Sequence, residues 1–371
     1  MQKSRQGSRK VRIALSLVYV TAFVYIIVVL TTGGHPGILR LPARVQTARA
    51  DEFHFNIGRN RVFADLGGSF VAAGTVGLQI LSEDGNQIMR EYFRMQNPAI
   101  SAMNSRAIVY DIGGYAIRAV SPAGVTAALY ADGSIVSATM NRNGWFTVVT
   151  QEGVGYRGNV TIYDDRGSAR YRLYSADGFS YIATLSPNNR NLADLRFTDE
   201  GSQIRFLRMP NYEPQWTKEL SGEIVIDLSF MPNGNLLALT TRELILIDGR
   251  GNGREIFTFS GRRLGAYSKS DDFISLYLLD YGVGYSGRLV NIRANGDVLG
   301  ELTVDREILS MSLADGYLAV LWSDGLMFYS AEFNEFPPYP VISIAGANRV
   351  HALPGGTALA YGDFSAVVLQ R

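Results

Sequence analysis

Cysteine is absent from all 371 residues, and histidine occurs only three times. The first absence excludes disulfides, thiolate metal sites, iron–sulfur clusters and cysteine nucleophiles, and the second leaves little room for a histidine-rich metal centre. Charge is sparse too, at 19% of residues, and acids and bases nearly cancel to a net of +1. That total hides a division. Residues 1–12 carry +5 and Arg40, Arg44 and Arg49 add +3, so residues 51–371 hold a net of −7. A mildly acidic body is poorly suited to nucleic acid, which rewards clustered lysine and arginine. What is abundant instead is apolar content, at 47%, and glycine, at 39 residues. Much buried surface with many turn residues points to an all-β chain and excludes a disordered one.

No charged residue lies between Arg12 and Arg40. The apolar part of this run, residues 13–32, has the length of a helix that crosses a hydrocarbon core of about 30 Å. Basic residues and no acid precede it, so the positive-inside rule predicts a cytoplasmic tail over 1–12, with the remaining chain outside. The run is longer than the apolar region of a cleaved signal peptide, and Ala48-Arg49-Ala50 lies well beyond it. An uncleaved single-pass anchor in the plasma membrane is therefore expected. Residues 33–50, rich in glycine and proline and free of acid, read as a stalk, and residues 51–371 as the extracytoplasmic domain.

That domain is patterned in short apolar strands separated by turns. Ten Asp-Gly or Asn-Gly dipeptides supply the positive φ angles of tight hairpins. One turn type recurs, each time followed by an apolar strand: Gly67-Gly68, Asn104-Ser105, Asn143-Gly144, Asn188-Asn189, Asn233-Gly234, Asp271-Asp272, Asp315-Gly316 and Gly355-Gly356. The spacings run from 37 to 45 residues, the period of four-stranded propeller blades. The last repeat lacks an outer strand, and Glu52–Gly58 resembles the outer strand Glu255–Gly261. An N-terminal strand completing the last blade would close the ring. The reading is an eight-bladed β-propeller over 51–371, with seven blades as the alternative.

Several motifs look chemical. Gly153-Val154-Gly155-Tyr156-Arg157-Gly158 and Gly282-Val283-Gly284-Tyr285-Ser286-Gly287 both match G-x-G-x-x-G. A dinucleotide site needs a helix after the glycines, and here strands follow, so no cofactor is expected. Both motifs are long insertions between the second and third strands of their repeats, the third and sixth. Insertions at one corner map to one face of the disc, which makes Tyr156, Arg157, Tyr281 and Tyr285 a candidate binding surface. The plainer reading is that the glycines shape a wide hairpin and the tyrosines cover its rim. His54 and His351 fall on the outermost and innermost strands of the closing blade, too far apart for one metal, and no metal site is expected. Asp248–Gly253 reads as a turn rather than a calcium loop. The acidic pairs Glu83-Asp84, Asp164-Asp165, Asp199-Glu200 and Asp271-Asp272 sit at hairpin ends, where carboxylates are ordinarily solvated. No catalytic set can be assigned.

The segment Gly155–Asp164, with Ser186-Pro187-Asn188-Asn189 downstream, resembles a family of single-span, propeller-bearing proteins of unknown function from Gram-positive clostridia, within the wider quinoprotein-like and WD-like propellers. The resemblance implies an extracytoplasmic propeller and brings no assigned site residue. The first functional reading is a membrane-anchored binding or scaffold module for an envelope protein, peptide or glycan. The alternative is a quinoprotein-like or glycan-active enzyme working from the central channel. The inner strands AISAM, SIVSATM, YIATLS and ILSMSL are small, hydroxylated or apolar, which favours binding.

Overall fold

In a computed structural model, residues 52–151, 158–175, 178–282, 284–334, 339–340, 346–363 and 365–370 are described. The expected tail, span and stalk over 1–50 lie outside them, and no helix among the described residues is long and apolar enough to cross a membrane.

The described residues form eight four-stranded antiparallel sheets. Seven are built from four consecutive strands. The eighth combines Arg349–Leu353, Thr357–Tyr361 and Ser365–Gln370 with the N-terminal strand Glu52–His54, which pairs in the register Glu52 with Val367 and His54 with Ser365. This is an eight-bladed propeller closed by its first strand, as the repeat spacing predicts. The inner strands of blades 1 to 8 are Val62–Asp65, Pro98–Met103, Ser134–Met140, Phe179–Leu185, Val225–Phe230, Arg263–Lys269, Ile308–Ala314 and Arg349–Leu353. Each of the eight recurring turns joins an inner strand to the second strand of its blade.

No blade has a core of its own. The apolar residues gather in eight clusters, each shared by two neighbouring blades, so the core is itself a ring. This explains the strand patterns. The second strand of each blade is covered on both sides, as in Phe273 to Leu279 of blade 6, whereas the outer strand of blade 4, Glu213–Ser221, alternates exposed and half-buried positions. The cluster at the seam of blades 8 and 1 joins Phe55, Ile57, Phe63 and Phe70 to Leu353, Leu359 and Tyr361. Phe63 and Tyr361 rings lie 4.2 Å apart there.

Strand direction divides the disc into two faces. Turns from first to second strand and from third to fourth lie on one, the hairpin face. Loops from second to third strand, and the links from one blade to the next, lie on the other, the link face. Glu52–His54 runs as an outer strand, so the chain joins the ring from the hairpin side.

Candidate functional site

The inner strands enclose a channel. Toward the hairpin face it opens into a cavity of about 540 Å³ lined by residues from all eight blades. Its hydroxylated composition has a structural cause. Inner-strand side chains accept backbone N–H groups from the next blade: Ser101 Oγ from Met140 at 3.0 Å, Ser268 Oγ from Leu313 at 2.9 Å and Ser310 Oγ from Val350 at 3.2 Å. At the closing seam His351 takes this part, its Nε2 accepting the Asp65 N–H at 3.2 Å. Such bonds satisfy polar backbone at the inner edge and lock neighbouring blades together. The small polar residues of the inner strands are thus stitching, which weakens them as a sign of ligand binding.

Charges that sequence reasoning missed also stand in this mouth. Lys269 pairs with Asp227 between blades 6 and 5, and Arg142 pairs with Asp271 between blades 3 and 6, across the opening. A charged residue in the middle of an inner strand, as in Val225-Ile226-Asp227-Leu228, is the one signal that pointed here. Burial pushes the Tyr267 hydroxyl well above the usual tyrosine range, helped by the Asp227 carboxylate and then by Tyr181. Burial lowers the His351 pKa to about 4, so at neutral pH the ring is uncharged, as its acceptor role requires. The residue is half-buried and lines the cavity.

At the link face a second cavity, of about 750 Å³, lies over blades 5 to 8. Its wall includes Tyr285 from the insertion of blade 6. That insertion is tied down locally. The Asp280 N–H donates to the Ser286 carbonyl at 2.9 Å, Arg262 Nε donates to Asp280 Oδ1 at 2.7 Å, and the Tyr277 hydroxyl donates to the Tyr285 carbonyl at 2.6 Å. Gly284 takes a φ of +123°, which side-chain-bearing residues rarely adopt, so the second glycine of the motif serves the loop's conformation. The result holds Tyr285 half out of the wall, 49% exposed, and leaves Tyr281 at 85%. Tyr156 and Arg157 fall outside the described residues, in the segment joining Phe146–Gln151 to Gly158–Tyr163.

The two tyrosines have company. Thirteen large apolar side chains are exposed among the described residues, and eleven of them lie toward the link face. Val76, Ile112, Tyr115, Tyr281 and Tyr285 sit in second-to-third loops. Tyr92, Tyr130 and Tyr174 end outer strands, and Ile224, Phe179 and Tyr181 begin inner ones or lead into them. Only Ile88 and Val298 lie toward the hairpin face. Scattered single apolar residues are normal on a surface. This one-sidedness is not scatter.

The other sequence-predicted positions are accounted for. His54 and His351 lie on the outermost and innermost strands of blade 8, as expected. Asp248 Oδ1 accepts the N–H groups of Arg250 and Asn252 at 2.8 and 2.9 Å, an ordinary turn. Among the acidic pairs, one correction is needed. Asp164 is buried rather than solvated. Burial opposes its ionisation, but the Ser168 N–H, the Arg170 guanidinium and the Arg166 N–H outweigh that and hold its carboxyl below the usual range. Asp271 is exposed, as expected, while paired with Arg142. Among the described residues no group of three or more histidines or carboxylates could hold a metal ion.

Comparison with known proteins agrees with the architecture. BamB from Moraxella catarrhalis superposes with a TM-score of 0.53 at 16% identity, covering 86% of this chain and 96% of that one. The C-terminal WD40 domain of Sif2 gives 0.61 at 12% identity, covering 86% and 99%. AztD from Citrobacter koseri gives 0.51 at 12% identity, covering 76% and 86%. At such identities the likeness is one of fold. Among curated proteins no relative is found. A family model does match, over residues 50–332, and by it the chain belongs to DUF5711, a family of unknown function.

Proposed function

We propose that this protein is a membrane-tethered binding module that presents the link face of its propeller to a polypeptide partner in the cell envelope. The concentration of exposed tyrosine and other apolar side chains on that face carries the reading. Tyrosine is enriched in protein interfaces because it offers large, rigid contact area with a polar tip. The apolar run over residues 13–32 supplies the tether, and the strand it leads to joins the ring from the hairpin side, away from the aromatic face. Tethering raises the effective concentration of the face for other membrane-held proteins.

A photo-crosslinking residue placed at Tyr92 or Tyr130 in intact cells tests this. Both sites are expected to capture one discrete envelope protein in the membrane fraction, while Ile88 and Val298 capture none. Equal capture from the two faces, or none from the first, would overturn the proposal.

A further inference from the structure

The inner strands of blades 6, 7 and 8 open at the link-face cavity with a particular order of charge. Arg263 and Arg349 are the first residues of their strands, and Glu307 precedes the strand between them. Nearby arginines are already neutralised: Arg262 by Asp280 at 2.7 Å, Arg306 by Asp324 at 3.0 Å and Arg61 by Asp363 at 3.1 Å. Arg263, Arg349 and Glu307 form no ion pair among the described residues. The mouth is left with a surplus of one positive charge inside a domain whose net charge is −7. Blade 4 faces blade 8 across the ring and brings Phe179 and Tyr181 to the same side of the disc.

From this we infer that the link-face cavity takes a single carboxylate from an extended segment of a polypeptide, held between Arg263 and Arg349 with its backbone against Tyr285. This deepens the proposed binding role and rests on it. Guanidinium groups bind carboxylates by paired, charge-assisted hydrogen bonds. One surplus charge matches a carboxylate rather than a phosphate dianion. Glu307 restricts the site in the same direction, since a second negative charge would meet it. The tyrosine walls fit an amphipathic peptide backbone better than a free ion.

The full-length chain in non-ionic detergent is titrated with a fluorescein-labelled octapeptide of alternating valine and serine in which one central serine is replaced by glutamate, blocked at both ends, and with its glutamine counterpart. Fluorescence anisotropy is expected to show the glutamate peptide binding about tenfold more tightly, a preference worth about 1.4 kcal/mol. Arg263→Gln with Arg349→Gln should erase that preference. Glu307→Gln should strengthen glutamate-peptide binding several-fold, an effect that misfolding would not produce. Equal binding of the two peptides, a preference untouched by the double variant, or stronger binding to phosphatidylglycerol vesicles than to the peptide would each overturn the inference. Tyr92 and Tyr130 lie on blades 1 and 2, away from this cavity. Capture there without any glutamate preference would sink the carboxylate site alone, and failure of both would sink the binding face as well.

Discussion

Only a neutral imidazole can accept the Asp65 N–H, so the bond at the closing seam depends on the protonation of His351. Its folded pKa, about 4, lies below the ordinary 6.5. Between those values the unfolded chain binds the extra proton. Stability is therefore fully present above about pH 6.5 and falls as pH drops toward 4. The loss is at most about 3 kcal/mol, and less to the extent that channel water solvates this half-buried residue. Asp65 works the other way: burial raises its carboxyl pKa, so its protonation favours the folded form and offsets part of the loss. Urea denaturation at pH 7 and pH 4.5 should show a larger loss for the native chain than for His351→Asn, which keeps an acceptor but cannot titrate. Equal losses would refute this role. Asp194 offers a second test at this scale. It is fully buried, and its Oδ2 accepts Arg205 Nη2 at 2.6 Å and Nε at 3.2 Å. Asp194→Ala leaves a guanidinium facing the apolar surface between blades 3 and 4, and should cost about 3 kcal/mol in a urea titration.

Strands and turns were legible because their determinants are local. Asn233-Gly234 carries its positive φ wherever it stands, and the apolar run after it needs only its own residues to mark a strand covered on both sides. The closing strand was legible for a related reason: Glu52–His54 matches the composition of an outer strand and answers a visible gap in the last repeat. Pairings across the ring were not. Arg142 and Asp271 are 129 residues apart, and no local pattern records that turns of blades 3 and 6 meet over the channel. Asp164 was misread because a carboxylate at a hairpin end is usually solvated, whereas Arg170, six residues on in the next strand, folds back over this one. The candidate surface was half legible. The insertion corner identified a face, but Tyr92, Tyr130 and Phe179 come to that face from strand ends in other blades, which only the topology reveals.

For the molecule as a whole, a core distributed over eight interfaces has no centre, and the ring is closed without a covalent link inside blade 8, where Glu52–His54 pairs with Ser365–Val367. Phe55 and Ile57 lead from that closing strand into blade 1 and are both buried at the seam of blades 8 and 1, where the Val76 N–H donates to the Ile57 carbonyl at 2.9 Å. Replacing Phe55 and Ile57 together by aspartate buries two unpaired charges and should cost more than about 4 kcal/mol. The ring should then open at one place. Calorimetry is expected to show the single transition of the native chain split into two, with the seam of blades 8 and 1 melting first. A single transition shifted down as a unit would contradict this account.

The order of strands also governs how the ring can be made. Glu52–His54 is the first described strand to leave the ribosome, and Ser365–Gln370, its partner, is the last. At synthesis rates of roughly 5–20 residues per second, the interval between them is on the order of tens of seconds. Throughout that time Phe55 and Ile57 have no seam to enter. Blades assembled meanwhile form an open arc with an exposed apolar end at each side, much as an unfinished arch stands on scaffolding until its keystone is set. A chaperone would have to guard those ends. Any mutation that slows the final blade would lengthen the period in which two such arcs can join each other instead of themselves.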